Sequence, residues 1–327
     1  MSRVLGIVAV AVGALLLLAP GTQGAFRGAN GELVFVAGSE AGNQSELVAS
    51  AANGNRFRQL VPRRYKVFES AVSPDGRRVA FSASVGAATP EIFITGLNGR
   101  GIRQLTRRGQ LEEYYRQPAF SPDGRRIAYT AFSLGANRGR AIKVMRTNGS
   151  GKRNLVPPRV LEFFVEDPAF SPNGRRLAYT RLVRQDPKVS EIYSVNATSG
   201  AGERRLTDGL GSLNSYRDAD YRPNGRVLVL ETNPVFLGDR TRIVTINATS
   251  GNSPAKTLVE SPDGWAYRQA TYSPDGRNLL FSGENLLAAA GEQKRHLFTA
   301  QANGNGLRRV PLLFEAVSPA WGARPRR

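Results

Sequence analysis

The 327-residue chain contains no cysteine and a single histidine, His296. The absence of cysteine excludes disulfide bonds, thiolate metal sites, iron–sulfur clusters, thiol nucleophiles and a lipid-modified N-terminal cysteine. One histidine excludes a metal site with two imidazole ligands and leaves one possible imidazole base. Much metal-centred and nucleophilic chemistry is therefore excluded by composition.

Acidic residues are scarce, because 26 Asp and Glu stand against 45 Lys and Arg, a net charge of +19. A protein with this charge is expected to associate with something anionic. The 35 Gly and 19 Pro are too many for a helical bundle and favour strands joined by turns. A hydrophobic content of 41% argues against a disordered chain.

Long hydrophobic runs are also lacking, apart from residues 4–19, which follow Arg3. This run and the small residues up to Ala25 have the pattern of a secretory signal peptide, with cleavage expected near Gly24 or Ala25. The alternative is an uncleaved membrane anchor, although the run is shorter than the ~20 residues that span a bilayer. We therefore predict a signal peptide at 1–25 and an exported protein that is secreted, periplasmic or associated with the cell envelope. Export makes cytoplasmic nucleic acid an unsuitable partner.

One phrase recurs along the rest of the chain: AVSPDGRRVAFSA, AFSPDGRRIAYTA, AFSPNGRRLAYTR, DYRPNGRVLVLET and TYSPDGRNLLFSG. Its turn glycines are Gly76, Gly124, Gly174, Gly225 and Gly276. A period of about fifty residues this regular indicates a repeat architecture.

Each copy predicts a strand, a turn and a second strand. Ser-Pro-Asp-Gly has the residue order of a type I turn whose glycine takes the left-handed conformation of a bulged hairpin. A third strand such as EIFIT (91–95), a glycine-rich turn and a short fourth strand follow in each unit. Four strands in about fifty residues are typical of a propeller blade.

The two ends of the chain complement each other. The segment LVFVA (33–37) is a second strand without a first strand, and EAVSPAWG (315–322) is a first strand with nothing after it. We expect these two strands to pair and close the ring. Residues 26–327 are thus predicted to form one all-β, six-bladed propeller of four-stranded antiparallel blades.

The unit A-x-[FY]-S-P-[DN]-G-R-R-[ILV]-A-[YF] resembles the TolB-like β-propeller repeat, a Ser-Pro-Asp-Gly repeat similar to WD40, over about residues 26–327. The resemblance implies an exported six-bladed propeller that binds partners. It also implies kinship with blades that accompany peptidase domains. This chain has neither room for an α/β-hydrolase domain nor a G-x-S-x-G nucleophile turn.

Propeller geometry places the first-to-second and third-to-fourth strand turns on one face, here called the turn face. This face is strongly basic, and its hairpin turns supply the candidate contacts to an anionic partner: Arg77, Arg125, Arg175, Arg226 and Arg277. Two interpretations remain open, a solvated surface with an arginine bias and a landing surface for an anionic wall polymer or membrane.

The opposite face, here called the mouth face, carries the blade-to-blade and second-to-third strand loops. Residues at the start of the innermost strands are predicted to ring the mouth of the central channel: Glu69, Gln117, Asp167, Asp218 and Gln269. Neighbouring candidates for binding a polar ligand or a peptide terminus are Arg116, Arg217, Arg268, Tyr115, Tyr216 and Tyr267. The alternative is that polar residues keep the mouth hydrated and pair their charges. His296 occupies the position of Glu46, Glu91 and Glu191 in other third strands and is predicted to lie on the surface.

These features favour an exported, non-catalytic binding or scaffold propeller that docks a protein, a peptide or an anionic cell-envelope polymer. We predict no catalytic residue, no metal and no cofactor. The expected partners are an envelope protein or peptide, a wall polymer or a membrane surface, and we expect a monomer. The alternative is a propeller enzyme, a hydrolase or lyase acting through paired acids or a carboxylate-bound metal at the funnel.

Overall fold

The computed structural model describes residues 26–38, 45–107, 113–133, 139–158, 164–184, 188–212, 214–234, 240–289 and 291–325. The predicted signal peptide at 1–25 lies outside these residues. Within them the chain forms 24 strands, arranged in six four-stranded antiparallel sheets, and one four-residue helix. Among the described residues, no helix is long and apolar enough to cross a membrane. The predicted all-β six-bladed propeller is therefore confirmed.

The blades follow one another along the chain, with the innermost strand named first. Blade 1 consists of β24 (Ala316–Ala323), β1 (Asn30–Ala37), β2 (Glu46–Ser50) and β3 (Arg58–Gln59). Blade 2 consists of β4 (Tyr65–Val72), β5 (Arg78–Val85), β6 (Glu91–Gly96) and β7 (Arg103–Gln104). Blade 3 consists of β8 (Glu113–Phe120), β9 (Arg126–Ser133), β10 (Gly139–Arg146) and β11 (Arg153–Val156).

The second half of the ring has the same order. Blade 4 consists of β12 (Val165–Phe170), β13 (Arg176–Arg184), β14 (Val189–Asn196) and β15 (Arg204–Arg205). The helix α1 (Gly209–Ser212) leads into blade 5, which consists of β16 (Asn214–Tyr221), β17 (Val227–Pro234), β18 (Arg242–Asn247) and β19 (Lys256–Glu260). Blade 6 consists of β20 (Trp265–Tyr272), β21 (Asn278–Asn285), β22 (Arg295–Gln301) and β23 (Arg308–Arg309).

The repeated hairpin turn has the predicted geometry. In blade 3, Gly124 has a φ of 65°, and its N–H donates to the carbonyl of Ser121 at 2.9 Å. The Ser121 hydroxyl accepts a hydrogen bond from the N–H of Arg126 at 2.9 Å, and the Asp123 carboxylate accepts one from the N–H of Arg125 at 3.0 Å. Glycine is needed because this position has a left-handed φ, which glycine adopts without a steric cost. The Ser and Asp side chains accept hydrogen bonds from the backbone N–H groups that the turn exposes.

The ring closes by pairing of the two chain ends, as predicted. Strand β24 runs antiparallel to β1, with Ala320 opposite Val34 and Trp321 opposite Leu33. Blade 1 is therefore assembled from residues almost three hundred positions apart in sequence. This closure removes two sheet edges that would otherwise be exposed.

Six apolar cores lie between neighbouring blades, one for each interface. Large side chains of the second strands, such as Phe81, Tyr129 and Tyr179, are fully buried there. Small residues alternate with them, since Ala80, Ala128 and Ala178 fill the other side of the same strands. This alternation lets each sheet stack closely on both neighbours.

The turns are distributed between the two faces as predicted. The N–H of Thr147, in the third-to-fourth strand turn of blade 3, donates to the carbonyl of Arg125 in the hairpin turn of the same blade at 3.0 Å. The same bond joins Ala197 to Arg175 and Ala302 to Arg277. Both kinds of turn therefore share the turn face, and the other loops lie on the mouth face.

Candidate functional site

One residue near the middle of each innermost strand contributes to a ring around the channel axis, here called the collar. Its members are Glu69, Gln117, Asp167, Asp218, Gln269 and Ser318. All except Glu69 have left-handed backbone conformations, with φ between 51° and 57°. The inner ladders shift register at this point in blades 2 to 6, for example between Glu166 and Ala169. Such a bulge locally bends a strand and re-aims its side chain.

Hydrogen bonds join the collar residues of adjacent blades. The backbone N–H of Asp167 donates to Gln117 Oε1 at 3.3 Å, and that of Gln117 donates to Glu69 Oε2 at 3.5 Å. Across the closure, the N–H of Ser318 donates to Gln269 Oε1 at 2.9 Å. The collar thus links blades through polar side chains rather than through apolar packing.

The collar is closed rather than open to solvent. Its six side chains are all buried, with at most 5% of any residue exposed. The prediction that these residues ring a solvated mouth is therefore wrong in this respect. The innermost strands converge on the axis, and collar side chains lie against neighbouring blades, as that of Gln117 does against Asp167. The bottom of the mouth is consequently closed by these buried side chains.

Three carboxyl groups form a row on one side of the collar. Asp167 and Asp218 lie side by side, and Asp218 also adjoins Glu231 of β17. Burial raises the pKa of both aspartates well above the ordinary value of 3.8. The charge of Glu166 raises the pKa of Asp167 further, and Asp167 and Glu231 raise that of Asp218. For Asp167, the side chains of Asp218 and Thr180 oppose the rise in part. The cluster is therefore expected to hold at least one proton at neutral pH.

The charged residues that directly precede the collar residues are partly paired. Arg116 forms an ion pair with Glu69 at 2.5 Å, and Arg268 forms one with Glu231 at 3.1 Å. Arg217 is half-buried and has no ion-pair partner among the residues that the structure describes. Arg116 thus pairs with a collar acid and Arg268 with an acid beside the collar, whereas Arg217 pairs with neither.

The three predicted tyrosines lie elsewhere. Tyr115, Tyr216 and Tyr267 are buried in the apolar cores between blades. The Tyr115 ring, for example, packs edge-on against Tyr129 with 5.7 Å between centroids. Their prediction as mouth residues is wrong because the strand side chains alternate, and this position faces the neighbouring sheet in every blade.

Other residues of blades 2 to 4 form an aromatic and charged group on the mouth face, here called the mouth cluster. It comprises Phe68, Tyr114, Arg116, Phe132, Arg140, Phe164 and Glu166. Tyr114 stacks on Phe132 with 4.5 Å between ring centroids, and the Arg140 guanidinium lies 4.3 Å from the centroid of Phe164. Arg140 also pairs with Glu166.

Blades 2 to 4 build this cluster together. Tyr114, Phe132 and Arg140 are cross-strand neighbours on β8, β9 and β10. The Arg116 guanidinium reaches back to blade 2 and lies 4.8 Å from the centroid of the Phe68 ring. Burial raises the pKa of the Tyr114 phenol, which Arg140 and Arg116 partly oppose. The phenol therefore stays neutral and can both donate and accept a hydrogen bond.

The sequence analysis missed two features of the site, the sixth collar residue and the burial of the three tyrosines, although the sequence contains a signal for each. Ser318 is followed by Pro319, just as Gln117 and Asp167 are followed by prolines, and this match identifies it as the sixth collar residue. The position two before the collar residue is apolar or tyrosine in every blade, which indicates core rather than mouth. Arg140 and Phe132 lie on other strands and have no such signal.

The five candidate arginines of the turn face, Arg77, Arg125, Arg175, Arg226 and Arg277, are all exposed. The arginine that follows each of the first three is instead partly buried and bonded. Arg126, for instance, donates to the carbonyl of Ala197 in the next blade at 3.0 Å and lies over the Phe170 ring. Only the first arginine of each pair is therefore directed to solvent.

His296 is buried, with 6% of the residue exposed, so its prediction as a surface residue is wrong. Its ring lies 5.7 Å from that of Trp265, the first residue of the inner strand of the same blade. Burial lowers the pKa of the imidazole, so His296 is neutral at pH 7. Among the described residues, no three His, Cys, Asp or Glu side chains are grouped to hold a metal ion.

These observations define a six-bladed propeller with a sealed channel, a mixed aromatic and charged mouth face and a basic turn face. The TolB beta propeller domain model matches residues 19–324. The chain therefore belongs to the TolB β-propeller family. No curated protein matches it in sequence.

Solved structures share this fold at low sequence identity. TolB from Acinetobacter baumannii superposes with a TM-score of 0.70 and 20% identity, over 92% of this chain and 68% of that one. The putative TolB from Agrobacterium tumefaciens gives 0.61 and 16%, over 88% and 91%. An oligogalacturonate lyase in complex with manganese gives 0.58 and 12%, over 90% and 78%. The fold is thus shared by binding proteins and enzymes.

Proposed function

We propose that this protein is an exported, non-catalytic binding propeller that docks a peptide or protein segment on the mouth cluster. The observation that supports this most is the position of aromatic rings and guanidinium groups directly above a sealed collar. A segment that enters the mouth meets a closed floor and must bind at the surface. The family, which includes binding proteins, agrees with this role.

The cluster has the chemistry of a peptide-binding surface. Tyr114 and Phe164 are half-buried, so their rings can cover apolar side chains of a partner at low entropic cost. Arg140 and Arg116 can donate to backbone carbonyls or to a carboxylate, and Arg217 lacks an ion-pair partner among the described residues. The binding energy is expected to be concentrated in these few aromatic and arginine side chains.

Site-specific photo-crosslinking tests this proposal. Benzoylphenylalanine replaces Tyr114 in one variant and Phe57, an exposed aromatic residue near the turn face, in the matched control. After irradiation in envelope extract, the 114 variant is expected to yield a discrete adduct that mass spectrometry identifies, and the 57 variant is not. A synthetic segment of the identified partner should then bind the parent protein and lose at least about tenfold in affinity with Tyr114→Ala. Identical adducts from both positions would contradict the proposal.

The enzymatic alternative places chemistry on Asp167 and Asp218. These carboxyl groups are 2% and 3% exposed, so a substrate could reach them only if the collar opened. A stoichiometric divalent ion in the purified protein, or turnover of an acidic oligosaccharide that Asp218→Asn abolishes, would support the enzyme and contradict the binding role.

A further inference from the structure

The turn face carries positive charge that is not neutralised by ion pairing. Arg125, Arg175, Arg226 and Arg277 are exposed, and each recurs at the same place in blades 3 to 6. None of the four forms an ion pair with a residue that the structure describes. The aspartates of these turns do not pair with them, because Asp123 and Asp275 accept hydrogen bonds from their own turn's serine hydroxyl and backbone.

The mouth face differs in this respect, since a larger share of its basic residues is paired with acids. Its ion pairs include Arg63–Glu46 at 2.7 Å, Arg242–Glu260 at 3.2 Å and Arg295–Glu284 at 3.4 Å. The molecule is therefore electrostatically asymmetric across the disc, and a planar anionic surface would attract it in one orientation.

The described chain also begins at the centre of the turn face. The Arg27 guanidinium donates to the carbonyl of Pro223 at 3.0 Å, and the N–H of Gly28 donates to the carbonyl of Pro274 at 3.2 Å. Both acceptors belong to hairpin turns. Residues 26–29 thus lie in the cavity of about 1210 Å³ at this end of the channel.

The apolar run at 4–19 is joined to this point by six residues, 20–25. Six residues span at most about 20 Å when fully extended. Wherever the run remains attached and enters a bilayer, the turn face must be the face that lies against it. The exposed arginines surround the place from which the chain would leave.

We propose that the turn face docks on a bilayer containing anionic phospholipids. Guanidinium groups bind lipid phosphates through paired hydrogen bonds, and the arginines are distributed around a disc face that can meet a planar surface at several points. A bilayer is favoured over a soluble wall polymer for two reasons. The repeated turns form a flat face, and this face adjoins the apolar run at 4–19. Removal of that run by cleavage leaves the arginines and their attraction in place.

Vesicle flotation tests this docking with the protein purified from its producing cells, its N-terminus determined by mass spectrometry. The vesicles contain phosphatidylcholine alone or an equal mixture with phosphatidylglycerol. The parent protein is expected to float with the anionic vesicles and to be released by 0.5 M salt. A basic residue near such a surface contributes about fivefold to the partition coefficient, so the variant Arg125→Gln/Arg175→Gln/Arg226→Gln/Arg277→Gln should lose roughly six hundredfold.

The matched control removes the same charge from the mouth face. It carries Arg64→Gln, Lys66→Gln, Arg107→Gln and Lys188→Gln, all at exposed positions. This control is expected to lose less than about tenfold while both variants melt within two degrees of the parent. Equal losses in both variants, equal flotation with neutral vesicles, or binding to purified anionic wall polymer without binding to vesicles would each overturn the proposal.

The two tryptophans report the orientation independently. Trp265 is the first residue of β20 at the mouth end, and Trp321 lies near the turn end of β24. The seven positions that separate them along equivalent strands correspond to roughly 20 Å. The variant Trp265→Phe retains Trp321, and the variant Trp321→Phe retains Trp265. A nitroxide on the lipid headgroup is expected to quench the tryptophan fluorescence of Trp265→Phe more strongly than that of Trp321→Phe. The reverse order would place the mouth face on the bilayer and overturn the proposal.

Discussion

At the scale of single residues, the same left-handed backbone conformation recurs at the collar position of five blades. Gln117, Asp167, Asp218, Gln269 and Ser318 all adopt a left-handed φ, which costs a non-glycine residue on the order of 1 kcal/mol or more. Hydrogen bonds to the neighbouring blade, such as that from Ser318 to Gln269, offset this cost. The strain is therefore retained where the ring needs polar links between blades.

Asp218→Asn is expected to stabilise the protein at pH 7. Asparagine keeps the shape, tolerates the left-handed φ and can donate to the neighbouring Asp167 carboxylate. It also removes a buried carboxyl group from between Asp167 and Glu231. The gain should be about 1 kcal/mol or more in the free energy of unfolding, measured by guanidinium denaturation.

The stability difference between Asp218→Asn and the parent is expected to depend on pH. The folded-state pKa of Asp218 is raised, so its contribution to stability is fully present below the ordinary value of 3.8 and is lost as pH rises through the raised pKa. Asp218→Asn should therefore differ most from the parent at neutral and higher pH and converge with it at low pH. The control Asp263→Asn, in an exposed ion pair, should change stability by less than about 1 kcal/mol. A destabilised Asp218→Asn variant would contradict the protonated cluster.

At the scale of the repeated element, blade 5 makes the arginine contact to the next blade from a different position in the turn. Arg78 of blade 2 donates to the carbonyl of Gly124 in the next blade at 3.2 Å and lies over the Phe120 ring. Blade 5 has Val227 at this position, and Arg222 occupies the place of the turn serine. Arg222 donates to the carbonyl of Gly276 at 3.0 Å and lies over the Tyr272 ring, so the same inter-blade contact is made from another position.

Arg222→Ala is expected to lower the free energy of unfolding by about 1–2 kcal/mol, because a partly buried hydrogen bond and a cation–π contact are lost. The double variant Arg222→Ser/Val227→Arg restores the arrangement of blades 2 and 3 and should recover most of that loss. Thermal denaturation of the three proteins measures both effects. A double variant less stable than Arg222→Ala would show that the two arginine positions are not equivalent.

At the scale of the whole molecule, closure joins the chain ends into one blade and one continuous ring. Deletion of residues 316–327 removes β24, exposes the edge of β1 and uncovers apolar residues of blade 1 such as Phe35. We expect a loss of at least about 3 kcal/mol and a less cooperative melt by calorimetry. Deletion of 324–327 leaves β24 intact and serves as the control. Equal melting of the two truncated chains would contradict closure by β24.

Much of the fold was predictable because its evidence is local and repeated. The Ser-Pro-Asp-Gly turns and the alternation at Phe81 and Ala80 each identify a strand or turn within a few residues. The mouth was less predictable, since Tyr115 and Tyr114 are adjacent, and Tyr115 is assigned to the core only when the six inner strands are aligned on their collar residues. The burial of His296 likewise depends on Trp265, which the repeat pattern does not connect to it.

The sequence by itself determined the six blades, the turn glycines, the pairing of the chain ends and the basic turn face, because each depends on residues close in sequence or on a regular period. Tertiary structure alone decided that the collar is sealed, that Asp167 and Asp218 lie together, and which arginine of each pair remains exposed. Those properties arise between blades, where residues about fifty positions apart come into contact. Burial, pKa and the availability of a charge are set by such neighbours, so they follow from the assembled ring and not from one repeat.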